Sequence, residues 1–531
     1  MPQQAQHERG LALLRLIQTH PRWAVLAAGV LAATGFEPLH LWPLTLLGIA
    51  LLIDLIAHAT SWKRVLLIGW LFGLGHFTLA NSWLAQPFVY QTEMPAWLGW
   101  FAPPLTAAYL AVWPALACAA AWRIGRRNYG ALVLAFSGCW IFAEWLRGWM
   151  FTGFPLSPLA SVALGGFGSP GLAQVLPLVG TYALSGLVCL LAGSWLIAAR
   201  RGTLDWRGAM LVVLPVGLML LPHSAAQQAK GGTQFTLVQP NVPQELLNDP
   251  ATFENQFRQS AALSAPQRGG GPRLVLWPES GTPDYLQDGY PPGYYGYTYG
   301  QDPTLARQRI GRAIGPDALL LTGAVDLELQ NGRPVGARNA VTALDGSGVI
   351  RGSYAKAHLV PFGEYVPLRP LLEPIGLARL VPGDFDFWPG PGPRTLDLGR
   401  FGKAGLQVCY EIVFSGHVVD RAHRPDYIVN PFNDGWYGAW GPPQHLAQAR
   451  LRAIEEGLPV LRATTTGISA VIDADGVVRQ YVLLGRAGRL EGVIPPPHPP
   501  TLFARAGNAL PLGWGIVLLA LSLVASRRRR R

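Results

Sequence analysis

The sequence predicts two structural classes in one chain: a polytopic α-helical membrane domain of eight spans, and an α/β domain inserted between the seventh span and the eighth. Three observations lead there. The chain has 531 residues, too many for one compact domain, and 50% of them are hydrophobic, with 19 Trp. Apolar residues cluster in runs near the roughly 20 residues that cross a bilayer core. Between about Gly232 and Ile494 the pattern changes to strand-like runs alternating with polar or helical segments, over a length that suits one large domain.

Seven apolar stretches lie near 23–36, 41–59, 65–85, 96–122, 130–146, 172–199 and 207–222, and an eighth runs from about Leu510 to Ala525. The first is short and ends at GFEP, so a cleaved signal peptide competes with a span there. Charge argues for the span. Arg9, Arg15 and Arg22, Lys63 and Arg64, Arg123, Arg126 and Arg127, Arg200, Arg201 and Arg207, and the run Arg527 to Arg531 all fall on one side of an uncut eight-span chain. The opposite short loops hold only Arg147. The positive-inside rule then makes both termini cytoplasmic and puts the insert on the far side. This topology explains the net charge of +11, and arginines scattered over loop ends argue against nucleic acid as a partner. The expected domains are 1–222, 223–495 and 496–531, the last holding span eight and a basic tail. Asp54, His76 and Glu144 sit in apolar stretches, where a charge costs about 2.5–3.5 kcal/mol, so each needs a partner. Helix-to-helix hydrogen bonding is favoured over a transport path, since the spans show no internal repeat with broken helices.

In the insert, TQFTLVQPNV, PRLVLWPES, ALLLTGAVD, AVTALDGSGVI, KAGLQVCYE, DYIVNPFND and ISAVIDADG read as strands. Several are apolar without alternation, which implies cover on both faces and so an α/β layered domain. QHLAQARLRAIEEG reads as a helix stopped by Gly457. GTPDYLQDGYPPGYYGYTYGQDP and LRPLLEPIGLARLVPGDFDFWPGPG carry too much Gly, Pro and aromatic residue for regular elements and read as excursions from the core.

Cysteine arithmetic isolates one thiol. Cys118, Cys139 and Cys189 fall in predicted spans, leaving Cys409 alone in the insert without a disulfide partner. A buried core cysteine is the ordinary reading of such a residue. Cys409, however, ends an apolar strand ahead of YEIVF, where a strand-to-helix turn would expose a nucleophile. A thiol with a reference pKa of about 8.5 needs a base and a cation to attack at neutral pH. Glu279 in LWPES and Lys356 in YAKAHLVPFGEYVP each follow another apolar run. Alone, each would be a solvated strand-end charge; the ordered set Glu, Lys, Cys at three strand ends is far more specific.

With these residues in view the chain resembles the nitrilase superfamily, and within it the apolipoprotein N-acyltransferase branch. The resemblance covers nearly the whole length, through LWPES, KAHLVPFGEYVPL, CYEI, NDGWYG and QHLAQARLRAIEEGLPVLRATTTGISAVID. It implies an α-β-β-α sandwich set on the periplasmic side of the inner membrane, between the seventh and eighth of eight spans. It implies a catalytic triad: Glu279 as base, Lys356 stabilising thiolate and oxyanion, and Cys409 as nucleophile. Glu364 and Glu411 match two further carboxylates, expected to orient Lys356 and the nucleophile loop. Tyr410, Asn339 and Trp436 match residues expected to shape the site. One departure is Asn248, where relatives usually carry a tryptophan.

The reaction implied is acyl transfer in two halves with ping-pong kinetics. Cys409 would take an acyl chain from a phospholipid, at sn-1, and pass it from a thioester to the α-amine of a diacylglyceryl-cysteine on an apolipoprotein. No cofactor or metal is expected, since the sequence has no HExxH, CxxC or Walker-type glycine loop. Nothing demands more than a monomer. Bringing a chain of about sixteen carbons into water would cost on the order of 12 kcal/mol, so the site is expected to open at the bilayer. The second excursion has the composition of an arm dipping into the interface, and YPPGYYGYTYG that of a mobile lid; simple packing onto the domain is the alternative for both. Two other classes remain, a tethered amidase or nitrile hydrolase that hands its acyl group to water, and a transporter or receptor with an extracytoplasmic binding domain.

Overall fold

The computed structural model describes residues 21–90, 95–201, 206–221, 232–266, 271–372, 374 and 385–527. Expectations that rest on Arg9, Arg15, the 222/223 boundary, residues 373 and 375–384 of the expected membrane-dipping arm, and Arg528 to Arg531 lie outside those residues.

Apolar helices form one bundle: α1 (Pro21–Ala33), α2 (Trp42–Ala57), α3 (Trp62–Ala80), α4 (Ala102–Leu110), α5 (Val112–Gly125), α6 (Tyr129–Arg147), α7 (Thr181–Arg201), α8 (Trp206–Leu220) and a C-terminal helix, Ala509–Arg527. Four segments are long and apolar enough to cross a membrane: Ala96–Gly125, α6, α7 and Ala509–Arg527. α3 and the segment Ser82–Tyr90, bent by 65°, make a fifth if they count as one span. α1, α2 and the Ala209–Leu220 part of α8 are apolar but shorter. By length and composition, four or five of the eight expected spans are therefore full-length among the described residues.

The stretch 172–199 needs correction. Gly171–Val175 and Leu176–Val179 are separate short turns, and α7 starts at Thr181. Gly180 breaks the backbone at φ 76, and a Cβ there would stand 2.6 Å from the Phe503 ring. Continuous hydropathy hid that break. Two of the polar span residues bridge elements. Asp54 accepts the Arg200 Nε at 2.9 Å and the Tyr129 hydroxyl at 3.2 Å, joining α2 to α7 and α6. Glu144 accepts the Trp140 indole N–H at 3.0 Å and the Leu159 amide at 2.8 Å. His76 packs among Phe36, Phe72 and Phe77.

The insert holds two six-stranded sheets. The first runs β12 (Gly488–Val493), β1 (Gln234–Gln239), β2 (Arg273–Leu276), β3 (Ala318–Gln330), β4 (Arg333–Asp345), β5 (Ile350–Ala355). The second runs β11 (Val478–Val482), β10 (Ser469–Ile472), β9 (Val460–Thr464), β8 (Tyr427–Phe432), β7 (Lys403–Leu406), β6 (Thr395–Asp397). Parallel triplets, β1–β2–β3 and β7–β8–β9, lie at the centre of each. Their inner faces share one core, in which Leu237, Leu276 and Leu321 pack with Leu406, Val429 and Leu461. On the outside of the first sheet, Val275 and Leu320 meet Phe257 of α9 (Phe253–Ser264) and Ile310 of α10 (Pro303–Ile314). Helix α11 (Gly441–Glu456) covers the second sheet and ends at Gly457 in the left-handed conformation. The layers are thus α-β-β-α, and α11 is buried on both sides. Leu446, Ala449 and Ala453 belong to the sheet core, whereas Ala447, Leu451 and Ile454 join the core of the bundle.

AVTALDGSGVI is not one strand. β4 ends at Asp345, whose carboxylate accepts the Ser347 and Val349 amides at 2.9 and 3.0 Å, and β5 begins at Ile350. The DGSG turn chemistry reverses the chain inside an apolar run. The aromatic excursion packs onto the β3–β4 hairpin: Tyr290 and Tyr295 are buried with Leu327 and Ala337, and the Tyr290 hydroxyl accepts the Leu327 amide at 2.9 Å. The end of the other excursion is tied down likewise, the Trp388 amide donating to the Ala337 carbonyl at 2.7 Å.

Candidate active site

Strand ends converge on one place. Glu279 follows β2, Lys356 follows β5, Cys409 follows β7 and Asn433 follows β8. Loops at the carboxyl edge of parallel strands are free to carry chemistry because the sheet beneath them is rigid. Glu279 accepts the side-chain amide of Asn339 at 2.7 Å through Oε1 and the backbone amide of Asn433 at 2.8 Å through Oε2. Lys356 Nζ stands 3.0 Å from Glu364 and 3.5 Å from Glu279. Asn339 also donates to Glu364 at 2.9 Å, and Glu364 is fixed from behind by the Val360 amide at 2.8 Å. Lys356, 1% exposed, is therefore enclosed by two carboxylates that an asparagine clamps in place. Burial disfavours its ammonium, but Glu364, Cys409 and Glu279 outweigh burial and hold the amine above its ordinary range.

Cys409 opens a short helical turn, Cys409–Val413, with φ at 54°. A side chain in this left-handed region costs about 1–3 kcal/mol and persists only where its surroundings enforce it. Glu411 enforces it. Its Oε2 accepts the Val408 amide at 2.8 Å, and its Oε1 accepts the Tyr354 hydroxyl at 2.8 Å and the Ala357 and His358 amides at 2.7 and 3.2 Å. One carboxylate thereby staples the turn carrying Cys409 to the segment carrying Lys356. Burial raises the Glu411 pKa to about 7 against the pull of those donors. Burial also pushes the Cys409 thiol well above its usual range, Glu279 adding to the effect and Lys356 opposing it.

The remaining residues singled out by sequence lie at different distances from this centre. Asn339 is inside it. Tyr410 points away, its hydroxyl donating to the Gly153 carbonyl at 3.1 Å on the loop after α6. Trp436 is half-buried and meets the ring of Tyr90 at 6.0 Å, on the side of the bundle. Asn248 is exposed. Sequence reasoning passed over Tyr437, one residue beyond Trp436 in NDGWYG, whose hydroxyl lies 3.9 Å from Cys409 Sγ. It also passed over the Asn433 amide and Tyr354. A backbone donor leaves no mark in a sequence, and Tyr354 reads as an ordinary strand residue. Among the described residues no group of three or more His, Cys, Asp or Glu is arranged to hold a metal ion.

Comparison with known proteins gives two matching family models: Apolipoprotein N-acyltransferase N-terminal domain over residues 28–194, and Carbon-nitrogen hydrolase over 236–481. The apolipoprotein N-acyltransferase of Rhodopseudomonas palustris is 32% identical over 95% of this chain and 94% of its own. That of Bradyrhizobium diazoefficiens is 33% identical over the same shares, 95% and 94%. Among solved structures, an amidase from Nesterenkonia sp. AN1 aligns at 20% identity over 55% of this chain and 96% of its own, with a TM-score of 0.34. The full-length similarity, with both family models in register on bundle and sandwich, makes this chain a member of the apolipoprotein N-acyltransferase family and an enzyme of the nitrilase superfamily.

Proposed function

We propose that the enzyme transfers an acyl chain from the sn-1 position of a phospholipid, through a Cys409 thioester, to the N-terminal α-amine of a diacylglyceryl-cysteine on an apolipoprotein. The observation that carries this reading is the buried Glu279–Asn339–Glu364–Lys356 cluster beside a thiol held on a strained turn. Burial keeps the resting thiol protonated, so activation belongs to the moment of attack. Glu279 takes the Sγ proton as sulfur adds to the ester carbonyl, and Lys356 with the Tyr410 backbone N–H faces the oxyanion. Collapse breaks the ester C–O bond, the proton passes from Glu279 to the departing oxygen, and lysophospholipid leaves. The amine then attacks the thioester, Glu279 receives its proton, and the amide forms as Cys409 is released and reprotonated. Glu364, Asn339 and Glu411 position these groups, and Trp436 and Tyr410 shape the side that faces the bundle. No metal or other cofactor enters these steps.

The same reading puts the protein in the inner membrane as a monomer, with 223–495 on the periplasmic side and the ends of the chain in the cytoplasm. Exposed Trp97, Trp100, Phe101, Leu368 and Leu371 supply apolar surface for lipid contact. The test is intact-mass analysis of the purified enzyme after exposure to phospholipid without an amine acceptor. An acyl adduct that is lost in Cys409→Ser and discharged by a diacylglyceryl peptide supports the reading. Adduct discharge to water alone at the same rate, or N-acylation surviving in Cys409→Ser, overturns it.

A further inference from the structure

Tyr437 closes the turn Asp434–Tyr437 that follows β8, and its hydroxyl is 3.9 Å from Cys409 Sγ. The ring is caged. It meets Trp83 edge-on at 4.9 Å, His445 of α11 at 4.7 Å and Phe432 at 5.8 Å. Trp83 is itself fixed, its indole N–H donating to Gln444 at 3.2 Å. With walls from the bundle, from α11 and from β8, the hydroxyl has nowhere to swing, and it stays aimed at the sulfur.

Chemistry decides which atom donates. While Cys409 is a thiol, either partner can give the hydrogen bond. Once the Sγ proton has passed to Glu279, sulfur holds no hydrogen and only the tyrosine hydroxyl can donate. We propose that Tyr437 is a further catalytic residue, whose hydroxyl donates to the Cys409 thiolate as it forms and withdraws as the S–C bond of the thioester is made. This role rests on Cys409 being the nucleophile. No proton leaves Tyr437 in the cycle: the O–H bond persists, Glu279 takes and returns the only proton moved, and the sulfur lone pair becomes the new bond. Burial and the nearby Cys409 hold the phenol well above its ordinary range, so the hydroxyl keeps its hydrogen at neutral pH. Lys356 shares the charge but is bound by Glu364 and Glu279, which leaves Tyr437 as a neutral donor already facing the sulfur.

The experiment measures the rate of Cys409 alkylation by iodoacetamide against pH in the full-length enzyme, read by peptide mass spectrometry at that residue. Tyr437→Phe keeps the ring contacts and removes the donor. Its rate–pH curve is expected to move to higher pH, with alkylation near neutrality about tenfold slower. Replacing Tyr437 with 3-fluorotyrosine, which fills the cage with a more acidic hydroxyl, is expected to move the curve the other way. This second variant decides the matter by itself if Tyr437→Phe unfolds. Curves that superimpose on the parent overturn the proposal. N-acylation that survives loss of Cys409 overturns the nucleophile assignment and the Tyr437 role with it; N-acylation that needs Cys409 beside unmoved curves overturns only the latter.

Discussion

Glu411 shows how much one side chain carries. Four donors point at it, three of them backbone amides that cannot turn round, so the arrangement is built for an anion. Burial works against that anion and holds its pKa at about 7, where an unfolded glutamate sits near 4.5. The folded protein thus keeps a proton in this window that the unfolded chain has given up. Its stabilisation is complete below pH 4.5 and is withdrawn as pH rises to 7. Glu411→Gln has no such titration. In scans at fixed rate, the Tm of the variant relative to the parent is expected to climb between pH 4.5 and 7 and then level off; a flat difference across that window counts against the account. Acyl-adduct formation in the same variant is expected to fall by about 10- to 100-fold at neutral pH, because an amide N–H now faces a backbone N–H and the turn under Cys409 loosens.

Among the elements, β3 sets the position of Glu279 from behind. The Gly323 amide donates to the Pro278 carbonyl at 3.1 Å, and a Cβ on Gly323 would fall 1.7 Å from the Glu279 carbonyl oxygen. Gly323→Ala must push Glu279 off its partners. A displacement of about 1 Å in a catalytic group costs on the order of 100-fold in rate. N-acylation is expected to drop by that order while Cys409 stays on its own turn and still reacts with iodoacetamide; parent-like turnover would refute the packing argument. The same strand marks what a sequence reveals. β1, β2, β3, β7, β8 and β10 were legible because runs such as LVLW and YIVNPF are buried on both faces. β11 and β12 were not, since VRQYV and GRLEGV are only partly buried at the margins and show neither a clean apolar run nor alternation. β9 was passed over: the helix reading stopped at Gly457, and the short run VLRAT that begins three residues later was given no element. Glu279 and Cys409 were singled out because each ends a run that had to be a strand, whereas Lys356 follows β5, a half-buried strand that the sequence did not separate from β4. Tyr437 is one aromatic among several, and only the fold brings its hydroxyl to the sulfur.

At the scale of the whole molecule, the sandwich is not an appendage of the bundle but is built into it through α11. Arg450 sends its guanidinium to the Gly165, Gly166 and Ser169 carbonyls at 2.9, 2.9 and 2.7 Å, on the loop between α6 and α7. Five residues on, Glu455 accepts the Thr181 amide at 2.5 Å at the start of α7 and the Ser415 hydroxyl at 2.9 Å just past the turn that carries Cys409, and it forms an ion pair with the Arg452 guanidinium at 2.9 Å. Both members of that ion pair are fully buried. A buried charge left without its partner costs about 3–5 kcal/mol, whereas removing both charges and filling the space with apolar side chains is close to neutral. Glu455→Ala is therefore expected to melt well below the parent, and the double variant Arg452→Met with Glu455→Met to recover much of the loss. If the double variant melts as low as the single one, the pair is not what binds the layers. Ser415 and Thr181 meet on one carboxylate, so loosening Glu455 frees the turn that carries Cys409 and the head of α7 together. In Glu455→Ala, adduct formation at temperatures below its melt is expected to fall further than Cys409 alkylation by a small water-soluble probe, because under the proposed reaction the acyl donor comes from the membrane and the probe comes from water.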